Sequence, residues 1–268
     1  MLDRVLETAE DLVVVNPTDP EKIVFAFPLQ GEVAEHYFKQ TLANGQERDV
    51  EGFDRHWQYD PEKKLITGSS TLLTLRLDKQ TRKDGLWVPT VQEAKQLDAQ
   101  RKLTNRVYRD NGLAVYSDSD PNQKIAGEIL SQTRGETPFV VPFKAMDYRL
   151  DREFPEEVAI FLTDKQEGVL SGEQAKQYLS EQFDYQGNSG ACGVDRDGDG
   201  GWGAGWVRLD FSSGIGRVDW LCGEATRTDL ESAGNKMFER KYGSRIRELE
   251  TERDEAYEKF TDSLGEKK

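Results

Sequence analysis

A chain of 268 residues, 36% hydrophobic and 32% charged, carries enough apolar material for a packed core that needs no disulfides, and too much for a disordered polymer. Its formal net charge of −14 repels nucleic-acid phosphates and anionic lipid, which sets duplex binding and membrane-surface binding aside. No apolar run approaches the roughly 18 residues of a spanning helix, and residues 1–10 alternate charged with apolar side chains where a secretory leader would be unbroken. A cytoplasmic location is expected, or the virion for a viral subunit.

The first elements read as strands at 12–15 and 23–27, separated by the turn Asn16-Pro17-Thr18-Asp19-Pro20. Val33, Ala34, Tyr37, Phe38 and Leu42 recur at helical spacing, with Glu35 and Lys39 four apart on the other face, so a helix is expected over 32–42. His36 falls near that polar face, and His56 stands beside Trp57 without an acid or base partner in sequence; neither is assigned chemistry. Leu73, Leu75 and Leu77 alternate with Thr74, Arg76 and Asp78, the pattern of a half-buried strand. Pro89 opens a helix to 103. Asn111-Gly112, a dipeptide tolerant of positive φ, lies between 107–110 and 113–116 and predicts a type I′ hairpin. Asp120-Pro121 starts a helix to 132, Pro142 marks 139–146 as an edge or bulged strand, and 158–162 is a further strand.

Hairpins mixed with helices predict an α+β fold: an antiparallel or mixed sheet, packed helices and a long C-terminal helix. A boundary near Gly168 divides an α+β domain, 1–168, from a second region, 169–268, of helix, glycine-rich acidic loop, hairpin and C-terminal helix, unless the two form one domain. Ser171 is the candidate N-cap of the helix at 171–183.

Residues 187–205 are dominated by glycine and hold Asp195, Asp197 and Asp199 at alternate positions before Gly200-Gly201. Alternate carboxylates on a tightly turning backbone can converge on one hard cation, and Ca2+ takes about six to eight oxygens, backbone carbonyls among them. The D-x-D-x-D-G run resembles the first half of an EF-hand-type calcium loop over about six residues. The resemblance implies side-chain ligands at Asp195, Asp197 and Asp199, a turn at Gly200 and a carbonyl ligand at Gly201. Trp206 stands where that family has a bidentate acid, and Gly-Ala-Cys-Gly-Val stands where it has an entering helix. Asp210 supplies a late carboxylate only if the chain doubles back. Asp195-Arg196-Asp197-Gly198 is also similar to the D-x-D-G core of haloacid-dehalogenase-like phosphotransferases, which implies Asp195 as nucleophile and Asp197 as general acid. That core needs a buried apolar strand just upstream, where this chain has glycines.

Residues 206–211 and 216–221 alternate apolar and charged side chains about Ser212-Ser213-Gly214-Ile215, which predicts a hairpin. Facing Phe211 with Gly216 sets Asp210 opposite Arg217 and Arg208 opposite Asp219, and gives Val207, Leu209, Val218 and Trp220 one core face. Cys222 then falls opposite Gly205, near the loop of Cys192. The two thiols either stay unpaired, as a reducing compartment favours, or pair and close the loop. Neither their spacing nor the histidines offer zinc. Thr228 with Glu231 spells a capping box for the terminal helix. Its stripe is Leu230, Met237, Tyr242, Ile246, Leu249, Ala256 and Phe260, interrupted by Arg253, with a break expected at Gly243. This helix packs on its own domain or on a protein partner, a second copy included.

These residues lead to a non-enzymatic structural or interaction protein whose loop is ordered by a divalent cation, Ca2+ above all, as a subunit of a viral or cellular assembly. The alternative is a Mg2+-dependent phosphoryl-transfer or hydrolytic enzyme on the same aspartates, with no nucleophile and base at diagnostic spacing. Nucleic-acid processing rests only on Trp57 and Trp87, side chains of a kind more often found in a core.

Overall fold

The computed structural model of the chain describes residues 1–9, 11–16, 22–43, 56–104, 106–115, 123–133, 136–150, 158–185, 191–196, 200–208 and 213–265. In chain order it opens with α1 (Leu2–Thr8), β1 (Val13–Asn16), β2 (Ile23–Pro28), α2 (Gly31–Ala43), β3 (Gln58–Asp60) and β4 (Leu65–Thr67). Then come α3 (Thr71–Arg82), β5 (Leu86–Trp87), α4 (Val91–Ala99), β6 (Arg109–Val115), α5 (Gln123–Gln132), β7 (Phe139–Val141), β8 (Met146–Leu150) and β9 (Val158–Leu162). The chain ends with β10 (Leu170–Ser171), α6 (Gly172–Gln182), β11 (Asp184–Tyr185), β12 (Ala191–Arg196), β13 (Trp202–Arg208), β14 (Trp220–Ala225) and α7 (Arg227–Gly265).

The fold is α+β. One sheet has the order β1-β2-β14-β5 and the other β10-β7-β6-β12-β13-β11, with two-stranded ribbons β3-β4 and β8-β9 beside them. Pairing is antiparallel except between β11 and β13. Each larger sheet draws strands from before and after Gly168. The smaller one is covered on both faces. Phe25, Phe27 and Leu221 join the main core with Tyr37 and Leu77, while Ala26, Trp220 and Cys222 pack with Ala94 and Leu97 of α4. Burial on two faces explains why β2 and β14 read as nearly continuous apolar runs.

α3 corrects the strand expected at Leu73, Leu75 and Leu77. It is a helix whose buried residues include Leu72, Leu73, Leu75 and Leu77 and also Thr74, Arg76, Asp78, Gln80 and Thr81. A helix buried all round shows no amphipathic period, so a chance alternation of leucine with polar residues mimics a strand. Its N-cap Ser70 accepts a hydrogen bond from the Leu73 N–H. Its buried charges are matched: Asp78 accepts from Arg82 and from the Val88 N–H, and the Arg76 guanidinium lies 4.9 Å from the centre of the Tyr148 ring.

Asn111-Gly112 is not a hairpin turn. Both residues lie inside β6, where Val194 pairs with Gly112 and Asp195 with Asp110, leaving Asn111 as the extra residue of a β-bulge. A Cβ at Gly112 would stand 3.2 Å from the Val141 carbonyl oxygen, so glycine serves a close strand approach here. Among the described residues the hairpin expected over 206–221 does not form either, and its expected positions Leu209, Asp210 and Phe211 lie outside them. β13 pairs with β12 and β11, whereas β14 joins the other sheet between β2 and β5. Arg208 lies opposite Cys192 along the strand, and Arg109 holds the Asp219 carboxylate. Between the strands the chain crosses over at Gly216, where a Cβ would meet the Ser69 Oγ at 2.4 Å. Cys222 is a free, buried thiol opposite Ala26 and Trp87, which corrects its expected place opposite Gly205.

Pro142 ends β7, and a 3-10 turn at Phe143–Ala145 leads into β8, so the single strand expected there is two. Ser171 starts α6 without capping it by its side chain; its hydroxyl donates to Glu136. α7 begins two residues earlier than expected. Thr226 Oγ1 accepts from the Asp229 N–H at 3.2 Å and the Thr226 N–H donates back to Asp229, so this pair, instead of Thr228 and Glu231, forms the cap. The helix then runs unbroken through Gly243 for 39 residues, a length of about 58 Å.

Candidate functional site

Three places in the fold concentrate chemistry: the acidic tip between β12 and β13, a buried polar tie beneath it, and the outer half of α7. At the tip, Arg196 pairs with Trp202 and Asp195 with Gly203, so residues 197–201 connect the two strands. Asp195 is 2% exposed and lies on β12, between β6 and β13, so the acidic run begins inside a sheet despite the glycines around it. Gly201 is exposed on the far side of the tip. Asp197, Asp199 and Asp210 lie outside the described residues. Among the described residues no group of three or more His, Cys, Asp or Glu side chains is placed to hold a metal ion.

Beneath the tip, β6 and β12 present two different faces. On one, Arg109 makes a two-pronged pair with Asp219 at 2.7 and 3.1 Å, and Arg196 makes another with Asp98 at 2.9 and 3.4 Å. Both guanidinium groups also donate to the Thr104 carbonyl, so two buried cations from adjacent strands fasten the chain leaving α4. On the other face, Asp110 accepts hydrogen bonds from Thr71 Oγ1 at 2.9 Å, Ser69 Oγ at 3.0 Å and the Tyr108 hydroxyl at 3.1 Å. A Cβ at Gly193 would stand 3.1 Å from the Thr71 hydroxyl, so the glycine leaves room for this network. Burial pushes the Asp110 carboxyl up to about 6, against the three hydroxyl donors that pull it down.

Asp110 is therefore a tie between the start of α3 and the larger sheet, and not an acid or base open to a substrate. It is 2% exposed, and the adjoining cavity, about 20 Å3 between Asp110, Arg217 and Trp220, holds one water at most. Sequence reasoning missed Asp110, Ser69, Thr71 and Tyr108. Reading Asn111-Gly112 as a turn ended the strand at Asp110 and assigned that residue no role. Trp57 is 5% exposed in the main core, and Trp87 is half-buried with its ring N–H donating to Glu93.

Among the described residues α7 is held at its base. Leu230 packs against the main core and Ala233 is buried, while Arg240 donates to the Glu7 and Ala9 carbonyls at the end of α1 and Lys236 pairs with Glu7. Beyond Arg240 the helix leaves the body. Phe238, Tyr242, Leu249 and Tyr257 are among the most exposed large apolar side chains described, at 51%, 44%, 48% and 68%. The Phe238 and Tyr242 ring centres lie 5.1 Å apart with the planes tilted by 49°. None of the described helices is long and apolar enough to cross a membrane. No family model, curated protein or solved structure matches the chain.

Proposed function

We propose that this chain is a non-enzymatic interaction protein: a rigid α+β body that presents a long helix to a protein partner. The observation that carries this reading is the exposed row Phe238, Tyr242 and Leu249 on a helix that the described residues anchor at its first turns. Large apolar side chains placed in a row on a soluble surface mark contact sites more often than chance exposure. The buried carboxylates, by contrast, are spent on holding the sheet and α3 together. The test is recovery of bound protein by the full chain from a lysate of its source cells, set against a Tyr242→Glu, Ile246→Glu double variant. A species bound by the wild type, whether another copy or a different protein, should be lost from the variant. If the wild type is monomeric and retains nothing the variant does not, the reading fails.

A cation at the tip of β12 and β13 is a second, separate proposal. In support, Asp195 on β12 pairs with Gly203 on β13, so the acidic run and Gly201 lie in the stretch that joins two paired strands. Calorimetric titration of the full chain with Ca2+ should give a binding isotherm that disappears when Asp195, Asp197 and Asp199 become Asn, and the unfolding midpoint should rise with Ca2+. A flat titration removes it. The same titration with Mg2+ serves the alternative enzymatic reading of these aspartates.

A further inference from the structure

α7 carries two apolar faces that point in different directions. At about 100° per residue, the docked positions Leu230, Ala233, Met237 and Arg240 share one side of the helix. Phe238, Tyr242, Ile246 and Leu249, at spacings of four, four and three, share the opposite side. The outer row is thus no continuation of the docked face, and an unbroken helix cannot turn it back onto the body. Resting on the interaction reading above, we propose that this face pairs with the same face of a second copy of the chain, with the two helices antiparallel.

Charge selects the second copy and the direction. The row continues from Leu249 to Arg253 and Ala256 at seam spacing, so a cation lies in the seam itself. In a parallel, in-register pair Arg253 would meet Arg253 of the second copy, two like charges pressed together in an apolar seam. Antiparallel pairing about an axis between Arg247 and Glu248 sets Ile246 against Leu249 of the second copy and Arg253 against its Tyr242. The flanks then match: Arg245 comes alongside Glu252 of the second copy, and Glu252 alongside its Arg245, two opposite-charge pairs made by one two-fold axis. Within a single chain Arg245 lies 3.0 Å from Glu248 and 3.8 Å from Glu252 on a fully exposed helix, close enough to exchange partners without unfolding anything. The bodies sit on the outer side of each helix and at opposite ends of the pair, so they do not obstruct it. A seam of about five turns lies at the small end of specific interfaces, about 1,200 Å2 or less, and the expected association is in the micromolar range.

Sedimentation equilibrium of the full chain from about 1 to 100 µM should show reversible dimerisation. Arg245→Glu alone and Glu252→Arg alone should each weaken it about tenfold, since each replaces two attractive pairs by two repulsive ones. An equimolar mixture of the two variants should recover wild-type affinity, because the antiparallel heterodimer restores both pairs. In a parallel pair Arg245 meets Glu250 of the second copy instead, so Glu252→Arg alone would keep wild-type affinity. A wild-type chain that is monomeric at 100 µM, or a mixture that fails to recover, overturns the proposal. A monomer that nonetheless captures a different protein, lost in the Tyr242→Glu, Ile246→Glu variant, overturns the second copy alone and leaves the interaction reading standing.

Discussion

Asp110 shows how one residue's protonation is built into the fold. Its carboxyl, ordinarily near 3.8, is raised to about 6 because burial disfavours the ion by more than three hydroxyl donors favour it. Between these values the folded chain binds a proton that the unfolded chain does not, so stability falls as pH rises through this window and is highest below it. The span corresponds to a loss on the order of 3 kcal/mol by neutral pH. Asp110→Asn removes the titration, so the midpoint of the variant relative to wild type should climb by roughly 6–10 °C between pH 4 and 7. Thermal unfolding across that range checks it, and a difference that does not change with pH would show that the carboxyl titrates normally. Nothing local to Asp110 announces this role. Ser69, Thr71 and Tyr108 reach it from a helix start and from its own strand, at separations the sequence does not encode.

Among the elements, α1 and α7 depend on each other. α1 has seven residues, too few to be helical alone, and its last carbonyls are capped by Arg240 from a segment more than 230 positions away. Arg240→Ala should therefore cost about 1 kcal/mol and expose α1 first. Hydrogen exchange should speed up in residues 2–8 while the amides of β2 and β14 keep their protection; an unchanged α1 would mean that Val5, buried in the main core, holds it unaided. Legibility from sequence differed sharply among elements. α2, α4 and α5 fall where periodicity and turn residues set them, and α4 carries a complete capping box of Thr90 and Glu93. α3 and β6 do not, because total burial erases the period in one and a bulge imitates a turn in the other.

Over the whole molecule, β1 and β2 lie far from β14 in the chain yet share one sheet with it, β14 being inserted beside β2. That insertion explains why the expected hairpin at 206–221 fails. The alternation there is real, but β13 is taken up between β12 and β11 while β14 pairs with β2 along its whole length, and Gly216 lets the chain pass close against Ser69 on the way. What the sequence determined by itself was whatever depends on neighbours within a few turns: the α+β class, most helices, the early strands, the acidic run at 195–199 and the apolar stripe of α7. Tertiary structure alone decided which strands share a sheet, that Asp110 is a buried tie, and that α7 docks on one face while a second faces outward. Local propensity costs are repaid within a few residues, whereas pairing and burial are set by which distant surfaces exclude water together, and no short window of sequence contains both partners.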